Sequence, residues 1–385
     1  MHKNIRILTW FNFFTDFRLY APIAIIYFTR VTGSFALGMS IFSVVMVSSA
    51  LFEIPTGVFS DRIGRRKTVV LGAAAAVLYS LFYAVADSYW LLFIGALFEG
   101  LSRSFYSGNN DALLHDTLAQ TGEEHAYDEF LGRTSSMFQV ALAISAIVGG
   151  VLAAWSFTLI MWLSVIPQVI CLILAFALTE PKKKAAESGN IYVHLREAYK
   201  NFLNNKKLRL LSISSILGFG FGEAGYQFQA AFYSTLWPVW AIGIAKTLSN
   251  VGASVSFWIS GRVIKKFGGL KILLVDNIYN RIINSVATAF PTVFSPLLMA
   301  STSVFFGITT VTKSTLLQKE FTNEQRATMG SLNSFAGSIF FGLVAYLLGF
   351  VADMLTPARA ILLLQAFQLV NIGIYWKLFK HHNNS

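Results

Sequence analysis

Gly57-Val58-Phe59-Ser60-Asp61-Arg62-Ile63-Gly64-Arg65-Arg66-Lys67 joins two apolar runs, 36–58 and 68–87. A run of about 20 apolar residues suffices for a helix to cross a hydrocarbon core of about 30 Å, so this basic stretch reads as a short loop between two membrane spans. Gly57 lets two helices approach closely and Gly64 permits a tight turn. A carboxylate, Asp61, among Arg62, Arg65, Arg66 and Lys67 can form an ion-pair cluster that opens and closes.

Outward from this loop the pattern repeats. Apolar runs fall at 6–29, 36–58, 68–87, 89–114, 134–154 and 157–179, then at 209–235, 239–261, 271–292, 295–317, 329–352 and 357–378. The expected architecture is an all-α membrane protein of twelve transmembrane helices in two pseudo-symmetric six-helix bundles. Residues 1–180 form the first bundle, 181–207 a cytoplasmic linker and 208–385 the second bundle. In the linker, Ile191, Leu195, Tyr199, Phe202 and Leu203 share one face of a helix, as in a helix lying at the membrane surface. The halves also echo each other: Gly261-Arg262-Val263-Ile264-Lys265-Lys266-Phe267-Gly268 follows the eighth run as Gly57 to Gly64 follows the second, offset by 204 positions.

Composition narrows the functional classes. Hydrophobic residues make up 55% of the chain and charged residues 13%, against roughly 25% charged in soluble domains. The formal net charge of +11 sits in short clusters between apolar runs rather than along one stripe, which excludes a nucleic-acid surface. Lys and Arg gather after runs 2, 6 and 8, so those loops and both termini are expected on the cytoplasmic side. Lys3 and Arg6 before an apolar stretch resemble a signal peptide, but Asp16 and Arg18 interrupt it and no small-residue cleavage site follows, so it reads as a retained first span. The single cysteine, Cys171, excludes an intramolecular disulfide framework and a cysteine-based zinc site, and it reads as lipid-facing or core packing. His115, His125 and His194 have no metal-ligand spacing, and no cofactor is indicated.

The stretch Gly57-x3-Asp61-Arg62-x-Gly64-Arg65-Arg66-Lys67 resembles the signature between spans 2 and 3 of the major facilitator superfamily. The twelve-run layout, the long central segment and the degraded copy after run 8 extend the resemblance over essentially the whole chain. It implies that this loop latches one face of the protein, with Asp61 and Arg65 carrying the latch; Asp116, at the inner end of span 4, is the candidate partner of Arg65. The fold so implied lines its central cavity with spans 1, 4, 7 and 10. Two departures stand out. The antiporter signature Gly-x3-Gly-Pro-x2-Gly-Gly of span 5 retains only Gly149 and Gly150, and the span 4 arginine pattern becomes Arg103 with Gly108 five residues on.

An ionisable residue at mid-bilayer costs at least about 2.5–3.5 kcal/mol, so each one needs a role or a partner. Asp16 and Arg18 lie roughly 15–18 Å into span 1, and Glu99 and Arg103 about 15–21 Å into span 4 from the other side, at 1.5 Å per residue. The four groups meet near the midplane. Glu99 and Arg103 share a helix face, as a coupling pair or as a permanent ion pair between helices. Asp16 and Arg18 stand about 200° apart on a continuous helix, so one of them must face a neighbouring helix. Asp16, Glu99 and Glu223 are the candidate proton-coupling carboxylates; Arg18, Arg103, Gln227 and Lys313 are candidates to meet substrate. Glu53, before Pro55, suits a gate or helix kink.

The expected function is transport of a small solute by alternating access, with protons as co-substrate and the chain working as a monomer in a bacterial cytoplasmic membrane. Proton-coupled efflux of an amphipathic or drug-like compound is the first reading; uptake of an organic anion or nutrient is the second, on account of Arg18, Arg103 and Lys313. A phosphate-binding loop is absent, so ATP does not drive it. No nucleophile and base constellation marks an enzyme.

Overall fold

The structure is a computed structural model that describes residues 3–181, 202–321 and 326–383. Most of the expected linker helix lies outside the described residues. Among them there is no strand; fifteen α-helices follow one another, and helix covers each of the twelve apolar runs. In chain order they are α1 (Lys3–Asp16), α2 (Ala24–Thr32), α3 (Phe35–Ile63), α4 (Arg65–Ala84), α5 (Tyr89–Tyr106), α6 (Asn109–Thr121), α7 (Tyr127–Ala153) and α8 (Phe157–Ala177), then α9 (Lys206–Tyr233), α10 (Val239–Phe267), α11 (Gly269–Ala289), α12 (Ser295–Ser301), α13 (Phe306–Glu320), α14 (Arg326–Met354) and α15 (Pro357–Asn383).

Among the described residues, seven helical stretches are long and apolar enough to cross a membrane by length and hydropathy. Run 1 does not qualify because it is broken into α1 and α2, each shorter than a span. Large apolar side chains point outward, among them Trp258 at 80% and Trp155 at 76% exposure. A water-soluble surface does not carry apolar area on that scale, whereas lipid solvates it at no cost.

Local sequence sets the boundaries. Gly33, with φ 75°, ends α2 in the left-handed conformation, and the Ser34 hydroxyl accepts from the Leu37 amide to start α3. That Thr-Gly-Ser sequence stops one helix and caps the next within two residues. Asn205 caps α9 in the same way, accepting from the Leu208 amide at 3.0 Å.

The chain divides into two compact units, Met1–Ala186 with Pro238–Thr247, and Glu187–Trp237 with Leu248–Ser385. In the first unit α5 packs against α3 and α4, α4 against α8, and α1 against α7 and α8. Its core joins Ile5, Leu8 and Phe11 of α1 to Val69, Leu113 and Cys171. Cys171 is fully buried, so of the two placements expected for it, the core one applies. At one end of this unit the buried Asn4 amide donates to Thr117 and to the Thr179 carbonyl, and its oxygen accepts from the Thr179 amide and hydroxyl. In the second unit α9 packs against α14 and α15, and α11 against α13 and α15.

Candidate functional site

The break in the first run builds the site. Pro22 has no amide hydrogen, and its ring in a helix would collide with the carbonyl four residues earlier, that of Arg18. The helix therefore stops at Asp16 and resumes as a short 3-10 turn over Ala21–Ile23. Across the gap the Arg18 amide turns back to the Asp16 carbonyl at 2.8 Å.

This corrects the expectation that Asp16 and Arg18 point apart. Arg18 Nη2 donates to Asp16 Oδ1 at 3.2 Å, and Nη1 donates to Glu99 Oε1 at 2.7 Å. The argument from a 200° separation assumed an unbroken helix. Once the helix ends at Asp16, both side chains turn to the same interior.

Glu99 is the hub. Its Oε1 also accepts from Arg103 Nε at 3.2 Å and Nη2 at 2.9 Å, and its Oε2 accepts from the Tyr83 hydroxyl of α4 at 2.9 Å. Two carboxylates and two guanidiniums thus form one chain, Asp16, Arg18, Glu99, Arg103. Its members are not equally placed: side-chain exposure is 30% for Asp16 and 41% for Arg103, against 14% for Arg18 and 8% for Glu99. All four line a cavity of about 370 Å³ inside the first unit, whose wall also includes Tyr79, Ser102 and Gln168. Gln168 Oε1 and Arg18 Nε are buried there without a hydrogen-bond partner among the described residues.

Run 4 breaks one helical turn beyond Arg103. Gly108 takes φ 66°, and the Ser107 hydroxyl donates to Glu53 Oε1 of α3 at 2.9 Å. The glycine after the span 4 arginine lies at the break between α5 and α6, and Glu53 meets that break.

In the loop between α3 and α4, Arg65 Nε lies 3.8 Å from Asp116 Oδ2, and Arg65 Nη1 donates to the Ser60 hydroxyl at 3.2 Å. Arg62 is exposed. The side chain of Asp61 lies outside the described residues. Gly57 does not sit at a close helix contact: among the described residues nothing comes within 4 Å of a Cβ placed there. The tight crossing of α3 and α5 falls at Gly100, where a Cβ would lie 2.8 Å from the Ser49 amide and the Val45 carbonyl.

Gly64 makes the expected turn, with φ 101°, for a second reason too. The Glu180 carboxylate sits where a side chain would go, 2.7 Å from an added Cβ, and accepts from the Arg65 and Arg66 amides at 2.7 and 2.9 Å. A carboxylate at the first free amides of α4 is favoured by the helix dipole as well as by hydrogen bonding. Glu180→Ala should therefore destabilise the protein by about 1 kcal/mol, and Gly64→Ala by more because it is strained at both φ and Cβ. Thermal unfolding of the purified variants checks this; an unchanged midpoint for both would show that Glu180 does not hold the α4 terminus.

Glu180, Tyr83 and Gln168 were not legible as site residues. Glu180 opens a basic linker, Tyr83 reads as one more aromatic in an apolar run, and only Pro22, four residues after Arg18, signals the break.

The remaining candidates lie in the second unit. Gln227 Nε2 donates to Glu223 Oε1 at 2.7 Å, one turn apart on α9. Lys313, on α13, places its Nζ beside Gly218 of α9, 3.2 Å from a Cβ built there.

A chain whose described residues are helical and expose large apolar side chains, with a charged interior cavity beside broken helices, has the form of a solute carrier. The chain belongs to the Major Facilitator Superfamily, whose sequence model matches residues 7–345, and it is a multi-pass membrane transporter of that family. It is 22% identical over 382 residues to an uncharacterised transporter of that type, YxaM of Bacillus subtilis, covering 93% of this chain and 91% of that protein. It is 25% identical over 183 residues to a Na(+), Li(+), K(+)/H(+) antiporter of Planococcus maritimus, of whose length the match covers only 41%. The fold is similar to that of a mutant of the nucleoside transporter NupG, with a TM-score of 0.83 at 12% identity over 97% of this chain and all of that one.

Proposed function

We propose that the chain is a proton-coupled secondary transporter in which Asp16 takes the coupling proton. The observation that carries this is the difference between the two carboxylates. Glu99 is buried and accepts four donated hydrogen bonds. Asp16 is the more exposed of the two, at 30% against 8% for its side chain, and receives one. A proton arriving through water reaches Asp16 first, and protonation there weakens the Asp16–Arg18 attraction while Arg18 stays on Glu99. Span 1 then gains freedom at its break, and an alternating-access cycle can use that difference between states. The similarity of part of the chain to a cation/proton antiporter supports the same reading.

In this proposal the transporter sits in a bacterial cytoplasmic membrane as a monomer with both termini cytoplasmic. Residues 1–180 and 208–385 act as the two moving bundles, 181–207 links them, and the loop at Gly57 to Lys67 with Asp116 gates one face. The solute is an amphipathic or drug-like compound moved outward. Uptake of an organic anion is the second reading, favoured by the 41% exposure of Arg103.

The test is transport in proteoliposomes with an imposed pH gradient, read as solute accumulation and as solute-dependent proton flux. Asp16→Asn should abolish accumulation against the gradient yet permit downhill exchange, and Asp16→Glu should retain part of the coupling. If Asp16→Asn still concentrates solute with unaltered pH dependence, the assignment is wrong, and Glu223 is the next carboxylate to test.

A further inference from the structure

The degraded copy of the α3–α4 loop, Gly261 to Gly268, takes no part in the scheme above. It closes α10, whose 29 residues make about 43 Å at 1.5 Å per residue, more than a hydrocarbon core of about 30 Å can cover. The last turns of α10 therefore reach the headgroup layer. One face of the helix records the crossing. Leu248, Val251, Val255 and Trp258 are exposed along it, and the exposed Arg262 and Lys265 continue the same line at steps of four and three residues. An apolar stripe thus runs straight into cations, with the Arg262 guanidinium over the Trp258 ring at 6.0 Å, a pairing suited to the boundary between hydrocarbon and water. Lys266, over Phe267 at 5.2 Å, and Lys271 on the first turn of α11 widen the charged end, and both are exposed.

In the first repeat the corresponding cations are answered. Asp116 lies 3.8 Å from Arg65, and the Glu180 carboxylate accepts from the Arg65 and Arg66 amides. At the offset of 204 positions, Lys265 stands in place of Asp61 and Glu320 in place of Asp116. Glu320 is already engaged, by Lys207 at 2.7 Å and by Asn205 Nδ2 at 3.1 Å. Arg262, Lys265, Lys266 and Lys271 form no ion pair among the described residues. Unanswered cations at the end of a lipid-facing apolar stripe match an anion that carries its own hydrocarbon chains. A soluble anion would meet the cations and not the stripe, and a zwitterionic lipid would bring an ammonium group into the cluster.

We propose that the end of α10 and the start of α11 bind a phospholipid of net negative headgroup charge. Its phosphodiester lies between Arg262 and Lys265, and its chains run along Trp258, Val255 and Val251. Lys266 and Lys271 add attraction at longer range. The site requires only that the chain spans a membrane; it uses neither Asp16 nor the direction of transport.

The experiment uses the full chain in nanodiscs of phosphatidylcholine with brominated phosphatidylglycerol or brominated phosphatidylcholine as the minor lipid, read as quenching of tryptophan fluorescence. Each protein is measured with Trp258 and as its Trp258→Phe counterpart, so that the difference isolates this ring. Brominated phosphatidylglycerol should quench Trp258 at a mole fraction at least about tenfold lower than brominated phosphatidylcholine, and Arg262→Gln or Lys265→Gln should each raise that fraction about fivefold. Lys265→Asp, which puts a carboxylate where the first repeat has Asp61, should erase the preference. Arg133→Gln, at an exposed arginine of the first unit paired with Glu129, should leave it unchanged. Equal quenching by the two lipids, or a preference that survives Lys265→Asp, overturns the site. Loss of the preference on adding inorganic phosphate, with chloride at equal ionic strength as the control, overturns it too and assigns the cluster to a free anion. None of these outcomes bears on Asp16, which the pH-gradient assay tests separately.

Discussion

Replacing Glu99 with leucine is expected to abolish transport and to lower the unfolding midpoint more than any other single charge removal in the first unit. Glu99 accepts from Arg18, twice from Arg103 and from Tyr83. Leucine would leave two guanidiniums with Asp16 as their only carboxylate in that chain of ion pairs. Removing one partner of a buried ion pair costs about 3–5 kcal/mol, because the remaining charge stays desolvated. Glu99→Gln keeps an acceptor for Arg103 and should lose less. The decisive comparison is Glu99→Leu with Glu99→Leu/Arg103→Leu, both measured as thermal midpoints. The double variant removes the stranded cation and should recover a substantial part of the loss. If the two melt alike, the cost arises from packing and the account by charge compensation is wrong.

The second large effect is expected at Gly149 on α7. A Cβ at this position would overlap the carbonyl of Leu19, inside the gap between α1 and α2. Backbone cannot yield as a side-chain end does, so Gly149→Ala must displace either α7 or the segment that carries Arg18. Overpacking costs about 1–3 kcal/mol where side chains can shift, and this site should reach at least the upper end. Transport should fall further than stability, because a displacement of Arg18 by even about 1 Å disturbs its bond to Glu99. Gly149→Ala that folds and transports like the wild type would show that the gap tolerates rearrangement. This close approach also gives a physical reason for one of the two glycines that span 5 retains from the antiporter signature. The residue is needed for the fold of span 1, whichever direction the solute moves.

The membrane class and the family were legible because both are written in run lengths and in one dense motif. Twelve apolar runs and the sequence from Gly57 to Lys67 are local features, and each can be read without knowing what packs against what. The site was legible only in part. Asp16, Arg18, Glu99 and Arg103 stand out as charges inside apolar runs, but their mutual geometry depended on Pro22, whose effect falls four residues upstream of itself. Gly57 was misjudged because a motif glycine was assigned the contact that Gly100 makes. Tyr83 and Glu180 could not be picked out, since a tyrosine among apolar residues and a glutamate beside three lysines gain meaning only from what they face. Arg281 was visible as a charge in run 9, but that its buried Nε and Nη1 meet no acceptor among the described residues is a property of packing alone.

The pairing of Asp16, Arg18, Glu99 and Arg103 has an electrical consequence. Two negative and two positive groups sum to zero, so the membrane voltage does no net work on this cluster as it is carried through an alternating-access cycle. One added proton changes that. The cluster then carries a unit charge, and moving it across the full membrane potential is worth about 2.3 kcal/mol per 100 mV. In the proton-coupled cycle proposed above, voltage would thus act on the loaded form and ignore the empty one, so that charge displacement recorded from oriented proteoliposomes would accompany only the proton-bearing half.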